Sequence, residues 1–251
     1  MKTLLTSLTL GASVTGTAFA QATQPVAASP TAAPLVDALT LKETFSLFAK
    51  DGSNSSVAAL DSTIGVKAIG LDWHITVPAY VSDSSGYGGL DVGTSWTALN
   101  AVDFIGSKTS LAIQGGLWMP IGSANYETTN LDPHLGLLVG FDWGKFNLAQ
   151  SADWRFVGGS YYDPYLDRVS DDVATLVTNF DYALSETLSV GVDLTQKYVC
   201  SVGDGVVLLG PSIEWKAASN VTVGAGIGFP VWQQLAVENN CVANAAVSFK
   251  F

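Results

Sequence analysis

The sequence predicts an all-β fold: a transmembrane antiparallel up-and-down β-barrel of about twelve strands, with ten as the alternative. Three observations predict it. Apolar and polar residues alternate with a period of two through most of the chain, as in sheets with one apolar and one polar face. The alternating runs are roughly 9 to 13 residues long, where a membrane-crossing strand needs about 9–11 and strands of soluble domains average about 5–6. Only 13 % of residues are charged, against about 25 % in an average soluble domain. Beyond the N-terminus, however, no stretch approaches the roughly 20 apolar residues of a spanning helix. A barrel reconciles these facts, because its apolar residues are dispersed singly along alternating strands.

Residues 1–20 read as an export signal. Lys2 supplies the positive start and 3–17 is uncharged and mostly apolar. Ala18-Phe19-Ala20 then presents the small-x-small pattern of a signal-peptidase site, which places the cut after Ala20. No cysteine follows the cut, which argues against a lipid-anchored N-terminus. Residues 21–34 (QATQPVAASPTAAP) have no period and are rich in Ala, Pro, Thr and Ser, as expected of a flexible periplasmic lead-in. Residues 35–251 are then the barrel. Removing Lys2 takes one of 11 basic residues and none of the 22 acids, so the formal charge moves from −11 to −12. So acidic a chain is repelled by nucleic acid, which excludes that class of partner.

Strands are expected near 41–49, 60–69, 71–81, 88–98, 109–120, 134–143, 145–157, 173–183, 187–197, 206–216, 220–231 and 241–251. The first two are the weakest. If Leu41, Phe45 and Leu47 face lipid, Glu43 does too, and 35–49 can equally be drawn as an amphipathic helix. Without both, ten strands remain. Short connections at Gly70, Gly144-Lys145, Ser185-Glu186-Thr187 and Ala218-Ser219-Asn220 alternate with longer ones at 82–87, 121–133, 158–172, 198–205 and 232–240. Short turns on one side and long loops on the other describe a bacterial outer-membrane barrel, with the short side in the periplasm. Residues 99–108 break the rule, since a long connection falls where a turn is due.

Aromatic placement gives the same orientation. Trp73, Trp96, Trp143, Phe146, Tyr182, Trp215 and Phe249 fall beside the short turns or the C-terminus, and Phe156, Phe229 and Trp232 at the opposite ends. Two such girdles at the headgroup levels are expected of a membrane barrel. The C-terminus, Ala246-Val247-Ser248-Phe249-Lys250-Phe251, resembles the closing-strand signal of outer-membrane proteins, so Phe249 and Phe251 are the expected assembly signal. Membrane lipid and the barrel-assembly machinery are the partners this implies.

Several stretches occur in a telling order: 65–81 (GVKAIGLDWHITVPAYV), 86–92 (GYGGLDV), 117–122 (LWMPIG), 209–215 (LGPSIEW) and 226–231 (GIGFPV). Over about two-thirds of the mature chain their order and spacing resemble the outer-membrane transporter-like proteins of the phenol-degradation MetA-pathway family. That likeness implies a barrel passing small compounds, aromatic ones among them, and carries no catalytic motif. Residues 35–60 and the cysteine pair depart from it.

Parity places Asp72, Asp91, Gln114, Asp153, Arg155, Asp181, Asp193, Glu214 and Lys216 on the inner face, with Ser212 and Lys250, interleaved with many glycines. Charges in a lumen must be paired or wet. Two readings stay open. One is a narrow hydrated path for a small-molecule solute, biased towards cations or neutral solutes by excess carboxylate. The other is a structural or adhesive barrel, its lumen filled by pairs of Arg155, Lys216 and Lys250 with those acids, its outer loops binding a partner. No enzyme, cofactor or metal site is expected. The two histidines, His74 and His134, count to opposite ends of their strands, too far apart to share a site. Cys200 and Cys241 both fall at the outer rim of an exported chain, where a disulfide between neighbouring loops is expected. The loop carrying Tyr161, Tyr162, Asp163, Tyr165, Asp167, Arg168, Asp171 and Asp172 is expected to be solvated.

Overall fold

Period-two alternation becomes a wall of paired strands in the computed structural model, which describes residues 38–50, 56–81, 85–122, 130–235 and 239–251. The expected signal at 1–20 and lead-in at 21–34 lie outside them. In chain order the strands are β1 (Ala38–Lys50), β2 (Val57–Ala68), β3 (Leu71–Val81), β4 (Ser85–Tyr87), β5 (Leu90–Phe104), β6 (Ser107–Met119), β7 (Asp132–Asp142) and β8 (Phe146–Arg155). There follow β9 (Tyr161–Asp163), β10 (Asp167–Val169), β11 (Val173–Ala183), β12 (Leu188–Val199), β13 (Gly205–Ala218), β14 (Val221–Gln234) and β15 (Asn239–Lys250). Twelve long strands form one closed antiparallel barrel; β4 adds a short piece beside β3, and β9 with β10 makes a separate hairpin.

Both doubtful strands exist, which fixes the number at twelve. β1 pairs with β2 on one side and with β15 on the other. The seam is finished at its end by Leu39 and Phe251, each backbone N–H donating to the other's carbonyl. No long strand is left with an open edge. Glu43 does face outward with Leu41 and Phe45, and its carboxylate accepts a hydrogen bond from the Ser62 hydroxyl at 2.7 Å.

The stretch 99–108 is not a loop. β5 and β6 run on through bulges near Leu99 and Val102 to a two-residue turn at Ile105-Gly106, with φ of 50° and 71°. Ile69-Gly70 closes β2–β3 in the same way, with φ of 55° and 73°. Positive φ at both positions is the turn whose twist suits a tight hairpin. The bulges shift parity, which disguises the strand extension as irregular sequence.

The outer face is predominantly apolar. Ile64, Ile75, Ile113, Leu117, Leu135, Leu137, Val192, Leu209 and Ile213 are exposed there. Trp73, Trp96, Trp143, Phe146 and Trp215 crowd the short-turn end, and Trp154, Phe156, Phe229 and Trp232 the other. A continuous apolar band between aromatic girdles is a lipid-facing surface.

Two expectations fail at the long-loop end. Cys200 and Cys241 are free thiols. Strands β13 and β14 stand between β12 and β15, so three spacings of about 4.8 Å, roughly 14 Å, separate the cysteines, while a disulfide spans about 4.4–6.8 Å between Cα atoms. Partial burial, with Asp172 and Asp171 near it, raises the Cys200 thiol above its usual range, against a backbone hydrogen bond from Ala174. The second failure concerns 158–172, which does not lie in solvent. It turns into the barrel, where Tyr161, Asp163, Leu166 and Val169 are buried against Phe48, Val57, Ala59, Tyr80, Val199, Val206, Leu208 and Val242. The molecule's apolar core is therefore inside its wall.

Candidate functional site in the lumen

Cross-strand register brings inward side chains of β3 to β8 into three parallel rows. The first row reads Asp72, Ser95, Gln114, Gly136, Asp153. The second reads His74, Gly93, Gly116, His134, Arg155. The third reads Thr76, Asp91, Trp118, Asp132. His74 and His134 thus share a row, separated only by two residues without side chains. Counting along each strand separates them wrongly, because barrel closure tilts the strands and staggers their registers.

The two rings lean over the bare glycines and meet at Asp91. His74 Nε2 lies 3.1 Å from one Asp91 oxygen and His134 Nε2 lies 3.1 Å from the other. The other nitrogen of His134, Nδ1, sits 3.0 Å from Asp153, which also accepts from Gln114 Nε2 at 3.1 Å. The glycines are needed for this approach: a Cβ on Gly93 would stand 2.7 Å from His74 Nε2, and one on Gly116 would collide with His134 Nε2. Asp91 and His134 are buried and His74 is half-buried.

Next to this cluster, Arg155 anchors the hairpin. Its Nη2 and Nε donate to Asp132 Oδ2 at 2.6 and 3.1 Å, and the second Asp132 oxygen accepts from the Gly158 N–H at 2.9 Å. Its guanidinium lies 3.5 Å from the Tyr161 ring centre and 4.7 Å from that of Trp118. Burial holds the Tyr161 phenol well above its usual range, helped by Asp163 and opposed by Arg155, so it stays neutral. Across the lumen, Lys197 Nζ donates to Asp163 at 2.6 Å and the Asn239 amide to the Tyr165 carbonyl at 2.9 Å. The remaining Asp163 oxygen accepts the backbone N–H of Tyr165 at 2.8 Å and of Leu166 at 3.3 Å, which shapes the hairpin tip.

The other inward residues are apart from both groups. Asp72 pairs with Lys67 at 3.6 Å. Asp193 accepts from Asn179 at 2.8 Å and Ser212 at 3.1 Å, with Asp181 on β11 and Glu214 on β13 sharing its side of the lumen. Among the described residues no ion pair within 4 Å reaches Asp181, Asp193 or Glu214, or joins Lys216 or Lys250 to any acid. Asn179, Asp193, Thr195 and Asn244 line a small cavity here, with Val177, Leu208, Ile227 and Gly228. Among the described residues, the ion pairs inside the barrel draw on Lys67, Arg155 and Lys197, not on Lys216 or Lys250, and Lys42 on β1 lies within electrostatic reach of Asp61 and Glu214. Asp132, two residues before His134 and of the same parity, is the partner that a parity count of β7 exposes.

No protein-family model matches the sequence, and no curated protein does. Solved structures with this fold do exist. An outer-membrane channel from Pseudomonas putida F1 aligns with a TM-score of 0.59 at 12 % identity, covering 85 % of this chain and 94 % of its own. The NanC porin aligns with a TM-score of 0.56 at 11 % identity, covering 85 % of this chain and 100 % of its own. The KdgM porin in complex with disordered oligogalacturonate gives 0.54 at 14 %, covering 84 % and 99 %. The chain therefore has the outer-membrane barrel fold. Its likeness to the MetA-pathway family remains one of sequence pattern.

Proposed function

We propose that this barrel is a passive pore of the bacterial outer membrane for small solutes, aromatic ones among them, with its short turns in the periplasm. The observation that carries the reading is the division of the lumen. One wall is rich in acid, since Asp181 and Asp193 make no ion pair within 4 Å among the described residues and Glu214 beside them has Lys42 as the base within its electrostatic reach. Towards the long-loop ends of the same strands sits a hairpin held by a few charged and aromatic contacts rather than by pairing with the barrel sheet. Unpaired carboxylates beside a narrow way draw cations and admit neutral solutes. The part-exposed rings of Tyr162, Tyr165 and Trp118 give the interior aromatic surface suited to a planar solute. The porin and channel names of the structural neighbours agree with this reading, and the bound oligogalacturonate belongs to one of them alone.

Planar-bilayer recording tests it. The intact protein should show a small, cation-preferring conductance. Replacing 159–170 by a short turn should raise that conductance several-fold. Asp181→Asn with Asp193→Asn and Glu214→Gln should move the reversal potential towards zero. Silence from both the intact and the hairpin-deleted protein would instead favour the filled structural barrel, whose outer loops bind a partner.

A further inference from the structure

We infer that His74, Asp91 and His134 form a binding site for a divalent transition-metal ion, with zinc as the probe. Such a site holds its ion whether or not the lumen conducts. Both ring nitrogens of His134 face carboxylate oxygens, Asp153 at Nδ1 and Asp91 at Nε2. An ionised carboxylate is an acceptor only, and neutral imidazole has one donor. With the Nδ1 proton given to Asp153, His134 Nε2 turns a lone pair towards the Asp91 carboxylate. Two acceptors facing each other at 3.1 Å require a cation between them, either a second proton or a metal. His74 presents its own Nε2 to the same carboxylate.

Three features make a metal suited to that place. The ligand atoms of the three residues lie within 4.8 Å of one another; tetrahedral zinc, with bonds of about 2.0–2.1 Å to nitrogen, needs them drawn to roughly 3.3 Å, a shift that side-chain rotation supplies. An imidazole–carboxylate set is matched to zinc, copper or nickel rather than to calcium or magnesium. Asp153 on the far nitrogen of His134, itself fixed by Gln114, is the arrangement that orients a metal-binding imidazole and raises its basicity. The three ligands come from β3, β5 and β7, and lumen water would fill the fourth position.

The experiment uses the full mature chain in detergent, purified without a histidine tag, stripped with chelator and equilibrated with zinc at neutral pH. Bound zinc is counted by elemental analysis. About one zinc per chain is expected at saturation. His74→Ala should weaken binding at least tenfold, and His74→Ala with His134→Ala should abolish it. Asp153→Asn, which removes no ligand, should weaken it by about 10–100-fold. Each variant is first checked for the heat-dependent gel shift of a closed barrel. If the buried His134 variant fails that check, the half-buried His74 variant alone decides. Cobalt in place of zinc should give the visible absorption of a tetrahedral site, lost in His74→Ala. No stoichiometric zinc on the intact protein, or equal zinc on His74→Ala, would overturn the inference.

Discussion

At the scale of single residues, Arg155 decides how the interior is held. It ends β8, is 8 % exposed, and bonds an aspartate that is 0 % exposed. It also carries the Tyr161 ring of the hairpin on its face. A buried pair of this kind is a weak source of net stability, but breaking it strands a charge. Arg155→Met should lower stability by about 3–5 kcal/mol, read as a lower midpoint of denaturant unfolding in detergent. Asp132→Leu added to it should recover much of that loss. Arg155→Lys should fall between, since an ammonium can neither fork nor stack. An unaltered midpoint in Arg155→Met would mean that water reaches Asp132. Parity alone places Arg155 and Asp132 inside; that they meet emerges only once register is known.

Among elements, the turns and strand ends carry a message that alternation hides. Val206-Val207-Leu208-Leu209 at the start of β13 is apolar at both parities. Phe48, Tyr80, Val199 and Val242 add apolar inward residues at the long-loop ends of β1, β3, β12 and β15. Lipid accounts for one parity, and the buried hairpin for the other. Strand ends that are apolar on both faces are therefore a legible sign of an inserted loop, visible without coordinates. The β5–β6 turn is the harder case, because two bulges destroy the period just where the strands meet. Ile69 and Ile105 occupy left-handed positions while exposed to 83 % and 79 %. A branched residue in that region costs about 1–2 kcal/mol. Ile69→Asn and Ile105→Asn should each stabilise the barrel by about 1 kcal/mol, seen as a raised unfolding midpoint. A lowered midpoint would show that the isoleucines make contacts of their own.

For the whole molecule, the decisive event is closure of β1 on β15. Phe251 exchanges two backbone hydrogen bonds with Leu39 and adds an outward ring, 69 % exposed, at the seam. Deleting it should reduce the fraction of chains that show the faster, unboiled gel mobility of a closed barrel. An equal fraction would deny it that role. The fold was readable because lipid imposes one demand on every strand, so each strand reports it separately. The lumen site was not readable in the same way, since rows across β3 to β8 depend on tilt and stagger that no single strand encodes. The hairpin between β8 and β11 turns that separation of wall from interior into freedom to vary. Its two stems are already partners, Arg155 facing Val173 in the ladder, so everything between them can lengthen, shrink or change in composition while the wall keeps its circumference. It is a cassette. Its sequence can be rewritten while the demands of the bilayer, acting on the opposite parity of other residues, leave the frame alone.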